Sequence, residues 1–158
     1  YLLQHERGGT WAPRLRARWR RLQEALLQAF PLAQRQDPEY SDLRLKLTEA
    51  WARIDALQAL EMQALRAQMR DEPMGIRPSM GKVLATELKQ HLTELHVQIM
   101  GEDVLSRPSM QEAADHVLPL SEDAVFAMSS YLNDRAASIY GGTNEVQRNI
   151  IAAQLLKG

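Results

Sequence analysis

Apolar residues recur at intervals of three and four along most of this chain, and apolar–polar alternation is scarce. An interval averaging 3.6 gathers side chains on one face of a helix, whereas alternation serves a half-buried strand. The pattern predicts an all-α protein. Leu15, Trp19, Leu22, Leu26 and Phe30 form the first stripe, in a helix expected over most of Leu2 to Phe30 and irregular near Gly8-Gly9 and Pro13. Pro31 limits its end, because proline disfavours helix at the residue before it. Asp37-Pro38 reads as an N-cap followed by a first-turn proline. Behind it, Leu43, Leu47, Ala50, Trp51, Ile54, Leu57 and Leu60 make a second stripe, expected to extend to Leu65 and Met69.

Two prolines and a glycine make 71–79 a loop, with Ser79 expected to cap a third helix. That helix carries the stripe Val83, Leu84, Leu88, Leu92, Leu95 and Ile99 and ends near Gly101. Ser109 and Glu112 suit a capping box for a short helix. Ser121 and the acids behind it open a fourth long helix, expected to reach Tyr140, and a terminal helix covers Asn144 to Leu156. No long helix can hide its stripe alone. The expected fold is an antiparallel up-and-down four-helix bundle with additional short and terminal helices, in one domain over 1–158.

The totals narrow the function. A formal net charge of -1 gives no bulk electrostatic pull toward nucleic acid. No apolar run approaches the roughly 18 residues of a membrane span. The absence of cysteine rules out disulfides and thiolate chemistry. Arg14, Arg16, Arg18, Arg20 and Arg21 spread around a helix and make a solvated face or a polar subunit contact rather than a phosphate stripe. His91 and His96 lie about 140° apart on a helix, so they make poor co-ligands, and no metal is expected. The chain opens on Tyr1, which reads as a fragment of something longer.

One stretch departs from the helical monotony: Tyr140-Gly141-Gly142-Thr143-Asn144-Glu145, followed by Val-Gln-Arg-Asn-Ile. Two glycines permit backbone conformations that a β-carbon forbids and allow another group to approach closely. Thr143 can cap the last helix, with Glu145 in its first turn. Free amides at a helix start suit an anionic or polar ligand. A simple cap and a ligand-facing turn both satisfy these residues.

The run Ala136 to Leu156 closely resembles the C-terminal signature of the acyl-CoA dehydrogenases. The resemblance implies the C-terminal helical domain of a flavoenzyme whose N-terminal helical and middle β-domains are not in this chain. It implies FAD as cofactor and α,β-dehydrogenation of an acyl-CoA thioester, with a glutamate taking the α-proton while hydride leaves the β-carbon. In many members that glutamate follows the signature tyrosine, where this chain has Gly141. Other members carry the base near the start of the first C-terminal helix, in a Glu-Arg pair that Glu6-Arg7 matches. Glu6 is thus the expected base, and Arg7, Tyr140, Gly141 and Gly142 the expected substrate-binding residues. Thr143 and Glu145 are expected at FAD, and Arg148 in a structural or subunit contact. The alternative implied by Gly141 is a non-catalytic subunit of a mixed flavoprotein assembly. Expected partners are electron-transfer flavoprotein or a similar acceptor and further copies, as homodimer or homotetramer, in a bacterial cytoplasm.

The departures are also specific. An Arg-x-x-Phe-Gly segment that reaches a neighbouring subunit's FAD has no counterpart in 30–42, where Arg35 is only loosely placed. The usual glycine-rich turn before the penultimate helix is replaced by 115–124. These features, and the Ser79-x-x-Lys82 helix start, resemble divergent bacterial members acting on sterol side chains, aromatic acids or unusual acyl chains.

Overall fold

The computed structural model describes residues 10–105 and 122–156. They form five α-helices: α1 (Ala12–Ala29), α2 (Pro38–Met69), α3 (Arg77–Met100), α4 (Glu122–Asp134) and α5 (Asn144–Leu155), with no strand among the described residues. The described residues form an all-α helical bundle. The capping-box segment at Ser109 and Glu112 lies outside the described residues.

Local chemistry accounts for most of the boundaries. Asp37 caps α2, its carboxylate accepting from the Glu39 amide at 2.8 Å, and Pro38 occupies the first turn, where no amide partner is needed. Thr143 caps α5, accepting from the Val146 amide. Gly101 ends α3 at φ 58°, a left-handed value that suits glycine.

Three expectations need correcting. Among the described residues α1 starts at Ala12, because Thr10 and Trp11 are not helical, and Pro13 sits in its first turn instead of disrupting its interior; the part of the expected helix before Thr10 lies outside the described residues. Helix α3 starts at Arg77 with Pro78 in its first turn, so Ser79 is buried inside the helix and caps nothing. Helix α4 stops at Asp134 and tightens into a 3₁₀ turn over Arg135–Ser138. There the Gln90 side-chain amide donates to the Asp134 and Arg135 carbonyls at 3.2 and 3.1 Å. A side chain of α3 thus takes carbonyls that a longer α4 would use itself.

Helix α3 is central and packs against the other four. Trp19 and Leu47, and near the far ends Trp11 and Glu61, fix α1 antiparallel to α2. Lys46 against Gln98 and Leu60 against Gly81 do the same for α2 and α3. Helix α5 instead runs in the direction of α3, pairing Asn144 with Lys82 and Arg148 with Glu87. The predicted stripes form the core, with Leu22, Ile54, Leu57, Leu88, Leu92 and Leu95 almost wholly buried. Each such side chain contributes about 1.5–3 kcal/mol on removal from water. Leu65 and Met69 are exceptions, at 46% and 80% exposure.

Candidate functional site

Among the described residues the bundle core does not close at the end where α1 begins, α2 finishes and α3 starts. A cleft of about 470 Å³ opens there, and Thr10, Trp11, Tyr140 and Gly141 are among the residues that line it. Its volume lies within the range of roughly 300–1,000 Å³ usual for small-molecule sites. Leu60, Ala64, Leu65, Met74 and Pro78 supply apolar wall, which explains why Leu65 is not packed into the core. Glu61, Lys82 and Thr86 bring polar groups to the same space.

The Gly-Gly turn is shaped by backbone geometry. Gly141 and Gly142 have φ of 64° and 83°, both left-handed, so side chains there would be strained. The turn is anchored by a polar knot, buried at Thr86 and Asn144 and half-buried at Lys82. Lys82 Nζ donates to Asn144 Oδ1 at 2.9 Å and to the Ala137 carbonyl at 3.3 Å. The Thr86 hydroxyl lies 3.1 Å from the same Asn144 oxygen. Burial pushes the Lys82 ammonium below its ordinary pKa, against the upward pull of Glu145. Glu145 itself is exposed; its own backbone amide and the Thr143 side chain hold its carboxyl below the usual value. Gln147 lies buried behind the turn with its Nε2 3.5 Å from the Gly142 carbonyl.

Also on the cleft wall, Glu61 of α2 reaches the start of α1. Its carboxylate accepts from the Trp11 amide at 2.6 Å and from the Ala12 amide at 3.3 Å. Trp11 has no capping side chain, so a residue fifty positions later satisfies the free amides that open α1. With its oxygens committed to those amides, Glu61 is a structural acid of the cleft wall.

Of the residues expected at the site, the structure brings Tyr140, Gly141, Gly142, Thr143 and Glu145 into one turn, with Tyr140 and Gly141 on the cleft. Glu6 and Arg7 lie outside the described residues. Glu61, Asn144 and Thr86 were not foreseen. A carboxylate in the 54, 57, 61, 64 register of α2 was the available signal for Glu61; Asn144 reads in sequence as an ordinary first-turn residue. Elsewhere, Arg16 pairs with Asp55 and stacks on Trp51, and Arg18 pairs with Asp134, so part of the arginine cluster is structural. Arg148 pairs with Glu87. Arg35 Nε donates to the Phe30 carbonyl at 3.4 Å. Among the described residues no three His, Asp or Glu side chains converge as metal ligands, and no helix is long and apolar enough to cross a membrane.

Residues 1–156 match the family described as acyl-CoA dehydrogenase, C-terminal domain. The chain belongs to this family. A curated member, acyl-CoA dehydrogenase IpdE1 of Mycobacterium tuberculosis, is 28% identical over 114 residues, covering 72% of this chain and 26% of that protein. The chain thus spans about a quarter of that relative's length. A solved structure, the "Tcur3481-Tcur3483 steroid ACAD G363A variant", superposes with a TM-score of 0.67 at 23% identity, over 99% of this chain and 38% of the other. At that identity the likeness bears on the fold: the family's helical domain and the bundle described above share one architecture.

Proposed function

We propose that this chain is the C-terminal helical part of an FAD-dependent acyl-CoA dehydrogenase that introduces an α,β double bond into an acyl-CoA thioester. One observation carries the reading. The cleft is lined both by Thr10, four residues after Glu6 in sequence, and by Gly141, which stands where many members hold their base. Gly141 offers no proton acceptor, and its left-handed φ suits glycine better than glutamate. In this reading Glu6 accepts the α-proton of the thioester and Arg7 helps to hold the acyl-CoA. The apolar walls exclude water, which raises the proton affinity of a carboxylate drawn in among them. Tyr140, Gly141 and Gly142 bound the substrate from the turn.

The residues of the turn fit a polar edge of FAD. The Thr143 oxygen accepts from the Val146 amide and its hydroxyl donates to the Glu145 carboxylate, so the two side chains present one polar edge. The exposed Glu145 carboxylate suits an amino or hydroxyl group of the nucleotide and opposes a phosphate. When bound, FAD supplies the acceptor for the β-hydride. The apolar side chains left exposed on α4, the turn and α5, among them Phe126, Leu132, Ile139 and Val146, are consistent with packing against further copies as homodimer or homotetramer. Electron-transfer flavoprotein or a similar acceptor would then reoxidise the enzyme, in the cytoplasm.

Gly141 also favours a second reading, a non-catalytic subunit of the same fold in a mixed flavoprotein assembly. Rapid-mixing measurements of flavin bleaching by a panel of acyl-CoA esters separate the two. In the complete protein, Glu6→Gln is expected to slow reduction by at least about 100-fold, the lower range for losing a general base. Undiminished reduction would remove Glu6 from the base role. A wild-type protein that no ester reduces would support the assembly subunit.

A further inference from the structure

The cleft is a continuation of the bundle's own packing seam, opened where large apolar side chains give way to smaller or polar ones. On α3 the seam positions, four and three apart, are Ile99, Leu95, Leu92, Leu88, Ala85 and then Gly81. The first five are buried, and Gly81 lines the cleft. On the antiparallel α2 the same spacing runs Leu43, Leu47, Ala50, Ile54, Leu57 and then Glu61 and Ala64, which also line it. Two facing helices therefore exchange leucine and isoleucine for smaller or polar groups at one level.

Neither the backbone nor tight packing requires glycine at 81. It is helical, and it is absent from the left-handed glycines 75, 101, 141 and 142. A β-carbon at 81 would meet only Leu60 Cδ2 at 3.9 Å, an ordinary contact. Glycine is also the least favourable non-proline residue inside a helix. What it contributes here is space.

We infer that Gly81 sets the depth of the cleft and so admits acyl groups bulkier than a short straight chain. This inference rests on the acyl-CoA reading above. Leu60, Ala64, Leu65 and Pro78 would enclose the apolar body of the acyl group, while the Gly141 turn bounds the end nearer the thioester. A leucine at 81 would restore the seam pattern and fill the volume that the bulky group needs, leaving space for a short one.

Calorimetric titration of the complete flavoprotein with butyryl-CoA and 4-cyclohexylbutanoyl-CoA tests this. Gly81→Leu should raise the dissociation constant of the ring-bearing thioester by at least about tenfold and leave butyryl-CoA within about twofold, the scale of discrimination that pocket-filling groups achieve. Ala64→Phe, which fills the same space from α2, should do likewise, and Gly81→Ala should have an intermediate effect. Far-UV circular dichroism checks that each variant is folded. Equal loss for both thioesters, or no loss for either, in folded Gly81→Leu and Ala64→Phe would overturn the inference. If the wild type binds neither thioester, the acyl-CoA reading fails, and 1-anilinonaphthalene-8-sulfonate fluorescence then decides the role of Gly81 alone. Fluorescence lost in both plugging variants would keep Gly81 as the opening of the cleft; unchanged fluorescence would overturn that too.

Discussion

Gly141 and Gly81 both border the cleft, yet they are glycine for opposite reasons. Gly141 has a left-handed φ of 64°, so any side chain there strains the backbone. Gly81 is helical and has room for a β-carbon. Urea unfolding should separate them: Gly141→Glu is expected to cost about 1–2 kcal/mol, whereas Gly81→Ala should be neutral or stabilising by up to about 1 kcal/mol. Sequence made the first glycine legible, because Gly-Gly-Thr before an amphipathic segment is a turn and a cap on local grounds alone. It did not make the second legible. The meaning of Gly81 depends on Leu60 and Ala64 lying opposite, and that pairing exists only once α2 and α3 have packed. Glu61 is similar: its role as a cap is invisible without the amides of Trp11 and Ala12 in front of it.

At the level of elements, stripes and caps predicted which segments are helical, and Asp37 and Thr143 cap as their residue types suggest. The starts of α1 and α3 and the end of α4 differ from the sequence reading, the last where Gln90 diverts the chain. Beside it, Asp134 joins three helices, accepting from Arg18 at 2.8 Å and from Lys89 at 2.7 Å. Burial alone would raise the pKa of this carboxyl, but the bonds from Lys89 and Arg18, with their charges, hold it below the ordinary value. Asp134→Ala leaves both cations without their partner. It should cost about 3 kcal/mol, the lower end for breaking a buried pair because both cations reach water. Because the folded pKa is depressed, the contribution is complete above the unfolded value of about 3.9 and is lost as pH falls through the folded value. The difference in urea midpoint between wild type and variant should therefore be full at pH 7 and shrink below about pH 4.

For the whole molecule, the all-α bundle was readable because apolar spacing alone demanded it, while the open end of the bundle was not. The stripe of α2 was expected to bury Leu65 and Met69, and the structure leaves them at the cleft and in solvent. Stability should accordingly be concentrated away from the cleft. Leu88→Ala, at a wholly buried position of the central helix, is expected to lower unfolding free energy by about 2–5 kcal/mol, as read by denaturant titration. The cap that Glu61 provides also carries a schedule. During synthesis at about 5–20 residues per second, the fifty residues from Trp11 to Glu61 take roughly 3–10 s to appear. Throughout that interval the opening amides of α1 have no protein acceptor from α2. The first turn of α1 is thus expected to be a latecomer on the ribosome, and one wall of the cleft becomes fixed only after α2 has been made.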